Sequence, residues 1–146
     1  MKANIKLLLT ALSTFLILST GCKKSDDLVP PDTSNSTVTS GNWQISSFTQ
    51  RTEDKTSDFD GLIFTFSDSS TLVVSGSESM QGTWHYNAPS PGYYGSATGS
   101  FTINLGTGSP FKRLSRTWNV VSQTASELKL DAAEATEDEH VTFTKK

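Results

Sequence analysis

Few residues in this 146-residue chain combine type and spacing in a way that does chemistry. There is one cysteine, Cys22, and there are two histidines, His85 and His140. Carboxylates gather in two short runs, Asp58-Phe59-Asp60-Gly61 and Glu137-Asp138-Glu139-His140. A calcium loop needs repeated oxygen ligands and a late bidentate glutamate, which the first run lacks. The second is a charge run of the kind that usually forms a solvated loop. Zinc needs paired cysteines or spaced histidines, and neither pattern occurs. The many serines and threonines stand beside no base in a nucleophile motif. The sequence therefore predicts no enzyme, with no catalytic residues, no metal site and no cofactor. What remains is one thiol, whose role depends on its surroundings.

Those surroundings begin with Lys2 and Lys6, followed by an apolar run from Leu7 to Leu18 broken only by Thr10, Ser13 and Thr14. A bilayer-spanning helix needs about 20 apolar residues, so the run is too short to span. A basic start, a short apolar centre and small residues at its end predict a signal peptide over residues 1–21. Leu18-Ser19-Thr20-Gly21-Cys22 resembles a bacterial lipobox in the looser form of Bacteroidetes lipoproteins, with leucine four places before the cysteine. The resemblance implies that Cys22 is acylated, for instance with palmitate, and anchors the chain in the outer membrane. Each buried methylene contributes about 0.8 kcal/mol, and two or more chains anchor stably where one does not. The other reading, a free exported thiol, is unusual in itself. Lys23-Lys24-Ser25-Asp26-Asp27 resembles the export signals of surface lipoproteins, so cell-surface exposure is open.

Residues 22–40 form the next segment. Beyond Leu28, Val29 and Val38 they offer little to bury, which predicts a disordered, lipidated tether. Its mean span as a flexible coil is roughly 25 Å.

From Gly41 to Lys146 apolar residues alternate with polar ones, and period two means strands. Trp43 and Ile45 share a face, as do Leu62, Phe64 and Phe66, then Leu72 and Val74, then Met80, Gly82, Trp84 and Tyr86. Phe101, Ile103 and Leu105 follow, then Leu114, Arg116, Trp118 and Val120, then Leu128 and Leu130, then Val141 and Phe143. Turn residues punctuate the series at Ser67-Asp68-Ser69-Ser70, Gly76, 89–99, 106–110 and Thr124-Ala125-Ser126. About eight short strands predict an all-β, antiparallel up-and-down eight-stranded barrel, because closure removes exposed edges. A sandwich is the alternative.

Gly41-Asn42-Trp43 at the start of the first strand resembles the Gly-x-Trp motif that opens lipocalins. With Phe64-Thr65-Phe66 and Gly82-Thr83-Trp84, the whole stretch 41–146 is similar to small lipocalin-like lipoproteins of the Bacteroidetes type. The resemblance implies that Trp43 is a structural plug at the closed barrel end. The late cation that stacks on that tryptophan in the family would here be Arg116 or Lys145.

Strand parity then places the loops 51–60, 76–79, 106–113 and 131–139 together at the end away from the tether, which is the open mouth in lipocalin-like barrels. The mouth is rich in carboxylates, and the whole chain carries 15 acidic against 12 basic residues. That field disfavours nucleic acid and other anions. Inside, Phe64, Phe66, Trp84, Tyr86, Arg116 and Trp118 are the candidate pocket for a small apolar, neutral or cationic ligand. The same aromatic side chains are also numerous enough to fill an eight-strand interior by themselves. On the surface, Tyr93 and Tyr94 lie in a loop rich in proline and glycine, and exposed tyrosines suit a protein or glycan partner. The expectation is a membrane-anchored binder, monomeric, holding either a small molecule in a short calyx or an envelope partner on its outside.

Overall fold

The computed structural model describes residues 35–89, 91–92, 95–96, 98–134 and 136–146. The stretch expected to be a signal peptide, together with Cys22, Tyr93 and Tyr94, lies outside the described residues. Eleven strands follow in chain order: β1 Asn42–Gln50, β2 Glu53–Asp54, β3 Leu62–Phe66, β4 Thr71–Gly76, β5 Met80–Asn87, β6 Pro91–Gly92, β7 Gly95–Ser96, β8 Ser100–Asn104, β9 Thr117–Gln123, β10 Glu127–Ala132 and β11 Glu139–Lys145. Eight of them make a closed wall in the order β1-β3-β4-β5-β8-β9-β10-β11, and β11 pairs back onto β1. Every pairing is antiparallel, so the predicted up-and-down barrel is the fold. The short β2 extends the sheet beside the end of β1, and β6 and β7 form a separate small hairpin.

Two bulges decide which residues face inward. Register breaks between Ile45 and Ser47 opposite β11, adding one residue to β1. An extra residue shifts the parity of everything after it, and Phe48 therefore joins Trp43 and Ile45 in the core. On β9 the pairing skips Val121, which stands exposed, while Gln123 is turned in and buried. A strict period-two reading assigns neither Phe48 nor Gln123 to the interior.

Both ends of the barrel are filled. At the tether end a five-residue helix, α1 (Asn35–Thr39), buries Thr37 and Val38. Trp43 Nε1–H donates to the Val38 carbonyl at 2.8 Å, tying α1 to the first strand. Residues Asn35–Thr39, inside the stretch expected to be tether, are therefore folded against the barrel. Composition hides this, because one buried valine suffices to dock a single turn.

At the opposite end, the predicted loop cluster forms. The Arg51 amide donates to the Asp138 carbonyl at 2.7 Å, and Ser77 Oγ–H donates to the Asp60 carbonyl at 3.4 Å. Two 3₁₀ turns, Thr56–Phe59 and Phe111–Arg113, sit there and are joined by an Arg113–Asp58 ion pair. Each turns a phenylalanine inward, and Phe59 and Phe111 are both buried. The expected open mouth is therefore closed by side chains of its own loops. Leu114 is buried as expected, but from the end of the second turn, since β9 starts only at Thr117.

Candidate functional site

The pocket candidates divide into two packed groups inside the wall. Phe64 and Phe66 on β3 and Trp84 and Tyr86 on β5 meet through Phe101 and Phe143. Trp84 stacks on Phe101 at 5.4 Å and 25°, while Phe66 meets Trp84 at 5.4 Å and Phe101 at 5.6 Å edge-on. Phe143 contacts Phe64 at 5.4 Å and Phe66 at 5.9 Å, and Tyr86 lies 6.3 Å from Phe101. Offset and edge-to-face pairs at these distances are the favoured aromatic geometries, worth about 0.5–1.5 kcal/mol each beyond burial. Trp84 Nε1–H donates to the Ser67 carbonyl at 2.9 Å, so its polar atom is satisfied at the barrel end.

Trp118 belongs to the second group. Phe48 lies 6.3 Å from it and 5.1 Å from Phe59, so the aromatic contacts continue up to the plug. Trp118 Nε1–H donates to the Leu114 carbonyl at 3.1 Å. Arg116 stands beside Trp118, with its guanidinium carbon 5.6 Å from the ring centre. The guanidinium pairs with Glu139 at 2.6 Å and also with Glu137. Glu139 is 2 % exposed and takes a further hydrogen bond from Gln50. Arg116 therefore balances a buried carboxylate at the rim and does not reach into the Phe66–Trp84 group.

Gly82 lies on β5 one alternation before Trp84, where a missing side chain could leave room among the aromatic rings. A Cβ built there would lie 2.0 Å from the Asn104 carbonyl oxygen. The missing side chain lets β5 and the end of β8 approach closely, and it opens no space inside. Five hollows among the described residues lie on the rim and the outer wall, and none of the five is lined by Phe64, Phe66, Trp84, Tyr86 or Trp118.

Much of the acidic rim is internally compensated. Asp58 pairs with Arg113, Glu53 pairs with Lys55 at 2.7 Å, and Glu137 and Glu139 share Arg116. The hydrogen bond and charge of Lys55 hold the Glu53 carboxyl below its ordinary range. The Thr56 hydroxyl and amide do the same for Asp54. His140 faces outward between Asp131 at 2.6 Å and Asp138 at 3.2 Å, and the hydrogen bond it donates to the Asp131 carboxylate raises its pKa. His85 also faces outward, bonded to Asn87 at 3.0 Å. Among the described residues no three histidines, cysteines or carboxylates are grouped to hold a metal ion, and no helix is long and apolar enough to cross a membrane.

Phe59, Phe111 and Glu139 join Phe48 and Gln123 among the residues that strand reasoning missed. Phe111 and Leu114 are spaced by one helical turn, a signal readable in the sequence. Asp54 and Thr56 make an Asx turn, with the Thr56 amide donating to Asp54 Oδ1 at 2.9 Å. No family model matches the chain, and no curated protein matches it. Among solved structures, the chain is similar to an uncharacterized protein from Bacteroides eggerthii DSM 20697, at 16% sequence identity over 73% of this chain and 98% of that chain, with a TM-score of 0.47.

Proposed function

We propose that this protein is a lipid-anchored, non-catalytic binding module of the outer membrane whose barrel core is filled and whose binding surface is on the outside. The fold itself, a closed eight-stranded barrel, is compatible with a lipocalin-like binder. One observation favours outside over inside: aromatic side chains occupy the barrel from Trp43 at the tether end to Phe59 and Phe111 at the other. A calyx for a small ligand would have to displace rings such as Phe66 and Trp84, each of which buries about 150–250 Å². Filling the interior makes the wall and the loops the free surfaces. Tyr93 and Tyr94, which follow β6 and precede β7 in the sequence, are the residues that the sequence reading offers for such a surface. Anchorage follows from the lipobox resemblance at Cys22, and a monomer is the simplest state for a wall with no free edge.

Native mass spectrometry of the mature lipoprotein, released gently from its host membrane, tests the reading. The expected spectrum is one mass for the acylated chain alone. A retained small molecule, lost on Trp84→Arg without loss of the fold, would return the function to the calyx. Replacing Cys22 by alanine should abolish palmitate labelling and free the protein from the membrane fraction.

A further inference from the structure

Where the barrel closes, the last register pair of β1 and β11 is Gln50 opposite Glu139. Just past it the two chains part at Arg51 (φ +55°) and Asp138 (φ +43°), both in the left-handed region that disfavours a residue with a Cβ. One backbone contact joins them, the Arg51 amide donating to the Asp138 carbonyl at 2.7 Å. The Asp138 side chain has its own contact, to His140, and that contact depends on a proton. We propose that His140 is a pH-operated latch on this end of the closing seam: as an imidazolium it holds Asp138 and the Arg51 amide in place, and as a neutral ring it releases them. The device goes beyond the outward-binding reading and does not depend on it.

Proton counting at the ring carries the argument. Nδ1 lies 2.6 Å from Asp131 Oδ1, and Nε2 lies 3.2 Å from Asp138 Oδ1. An ionised carboxylate only accepts and a neutral imidazole has one N–H, so the doubly protonated ring alone can donate to both. When a proton leaves, the remaining N–H stays with the nearer carboxylate, Asp131, which faces His140 across the β10–β11 register. A ring lone pair is then turned toward the Asp138 carboxylate, and attraction becomes repulsion. Asp138 loses its side-chain anchor, and its left-handed backbone is left to the Arg51 contact.

No neighbouring cation among the described residues stands ready to replace the imidazolium. The ring meets Asp131 on β10 and Asp138 in the preceding turn, and Glu134 borders the same shallow hollow. Glu139 beside it is buried and held by Arg116, which also pairs with Glu137. Across the strand pair on β1 stands the uncharged Thr49. Beyond Thr49, β2 places Asp54, bonded to Thr56, and Glu53, paired with Lys55 and in the field of Arg51. Lys129, farther along β10, pairs with Glu127 at 3.0 Å. The hydrogen bond to Asp131, above all, raises the pKa of the ring. The latch is therefore closed below the ordinary histidine value of about 6.5 and opens as pH rises through the folded value.

The Arg51 amide reads the latch. Its protection is measured by hydrogen exchange with NMR detection on the whole lipoprotein in detergent micelles, each rate being corrected for the intrinsic exchange rate at that pH. Protection should fall about two- to fivefold as pH rises through the imidazole titration, in keeping with the modest worth of a half-exposed ion pair. The Trp84 amide, bonded to the Ser70 carbonyl at the tether end, should stay constant. In Asp138→Asn the carboxamide accepts from a charged ring and donates to a neutral one, and asparagine tolerates the left-handed backbone. Arg51 should then lose its pH dependence. His140→Gln, which never carries a charge, should show the low protection at every pH. Protection of Arg51 that is flat with pH in the parent, that falls equally in either variant, or that falls only together with Trp84 would each overturn the latch.

Discussion

Lys145 stands directly across from Trp43 on the pair of strands that closes the barrel, with its ammonium 5.1 Å from the centre of the indole ring. The same ammonium donates to Ser40 Oγ at 3.0 Å. Ring, cation and α1 therefore form one closure of the tether end. Removing the fully buried ring should cost about 3–5 kcal/mol in Trp43→Ala. Lys145→Met keeps the aliphatic stem and should cost only about 0.5–1 kcal/mol, the contribution of a part-exposed cation over a ring. Urea unfolding of both variants measures the difference. An unchanged midpoint for Trp43→Ala would remove the plug role from Trp43.

Two glycines near the end of β8 should respond in opposite ways to alanine. At Gly82 the new methyl would meet the Asn104 carbonyl oxygen at 2.0 Å, and a backbone atom cannot swing aside. Gly82→Ala should therefore cost about 2–3 kcal/mol through overpacking. Gly106 has open space around it but a φ of +85°. Gly106→Ala should cost about 1 kcal/mol, from the left-handed backbone alone. Denaturation curves for the pair separate steric approach from conformational preference. Equal costs would contradict the close contact between β5 and β8.

Arg116 holds the only basic group within salt-bridge distance of Glu139 among the described residues. Truncation in Arg116→Ala leaves that carboxylate buried without its counter-charge. The expected cost is about 3 kcal/mol, the low end for a broken buried pair, because Arg116 keeps 24 % of its side chain in water. Adding Glu139→Gln should recover most of the loss, since a neutral amide still bonds to Gln50 and needs no cation. A double-mutant cycle measures the coupling between the two. Additive losses would mean that the ion pair does not hold the rim together.

Strand identity was legible because Leu62, Phe64 and Phe66, or Trp84 and Tyr86, alternate without interruption and alternation is a local property. Phe48 was not legible, because its inward direction depends on a bulge set by pairing with β11, nearly a hundred residues away in sequence. Alternation also says which side chains point inward without saying whether their volumes fill the space. Trp84 reads the same in a hollow barrel and in one where Phe66, Phe101 and Phe143 close around it. The two end closures were hidden for a related reason. Val38 and Phe59 are single apolar residues on one-turn helices, too short for any periodicity to show, and only Phe111, one turn before Leu114, leaves a trace. The anchor reading at Cys22 rests on sequence alone, since that residue lies outside the described part of the chain.

His140 offers a test through pH. Its imidazole lies between Asp131 of β10 and Asp138 of the loop before β11, and across the strand pair it faces the uncharged Thr49 of β1. The Asp131 hydrogen bond is the main cause of its raised pKa, opposed by partial burial and reinforced by the charges of both carboxylates. A pKa higher in the folded chain than in the unfolded one means that folding binds a proton more tightly. The resulting stability is fully present below the unfolded value of about 6.5 and is lost as pH rises through the folded value. Urea midpoints should therefore fall as pH rises above about 6.5, and His140→Asn should flatten that part of the profile. The effect should be small and weaken in salt, because His140 is 51 % exposed and its partners are solvated. Asp131→Asn gives the decisive comparison: an NMR titration of the imidazole should move back toward the ordinary histidine value. If it does not move, the carboxylate is not the group that holds the proton, and the clasp between β10 and the rim loop contributes nothing to pH dependence.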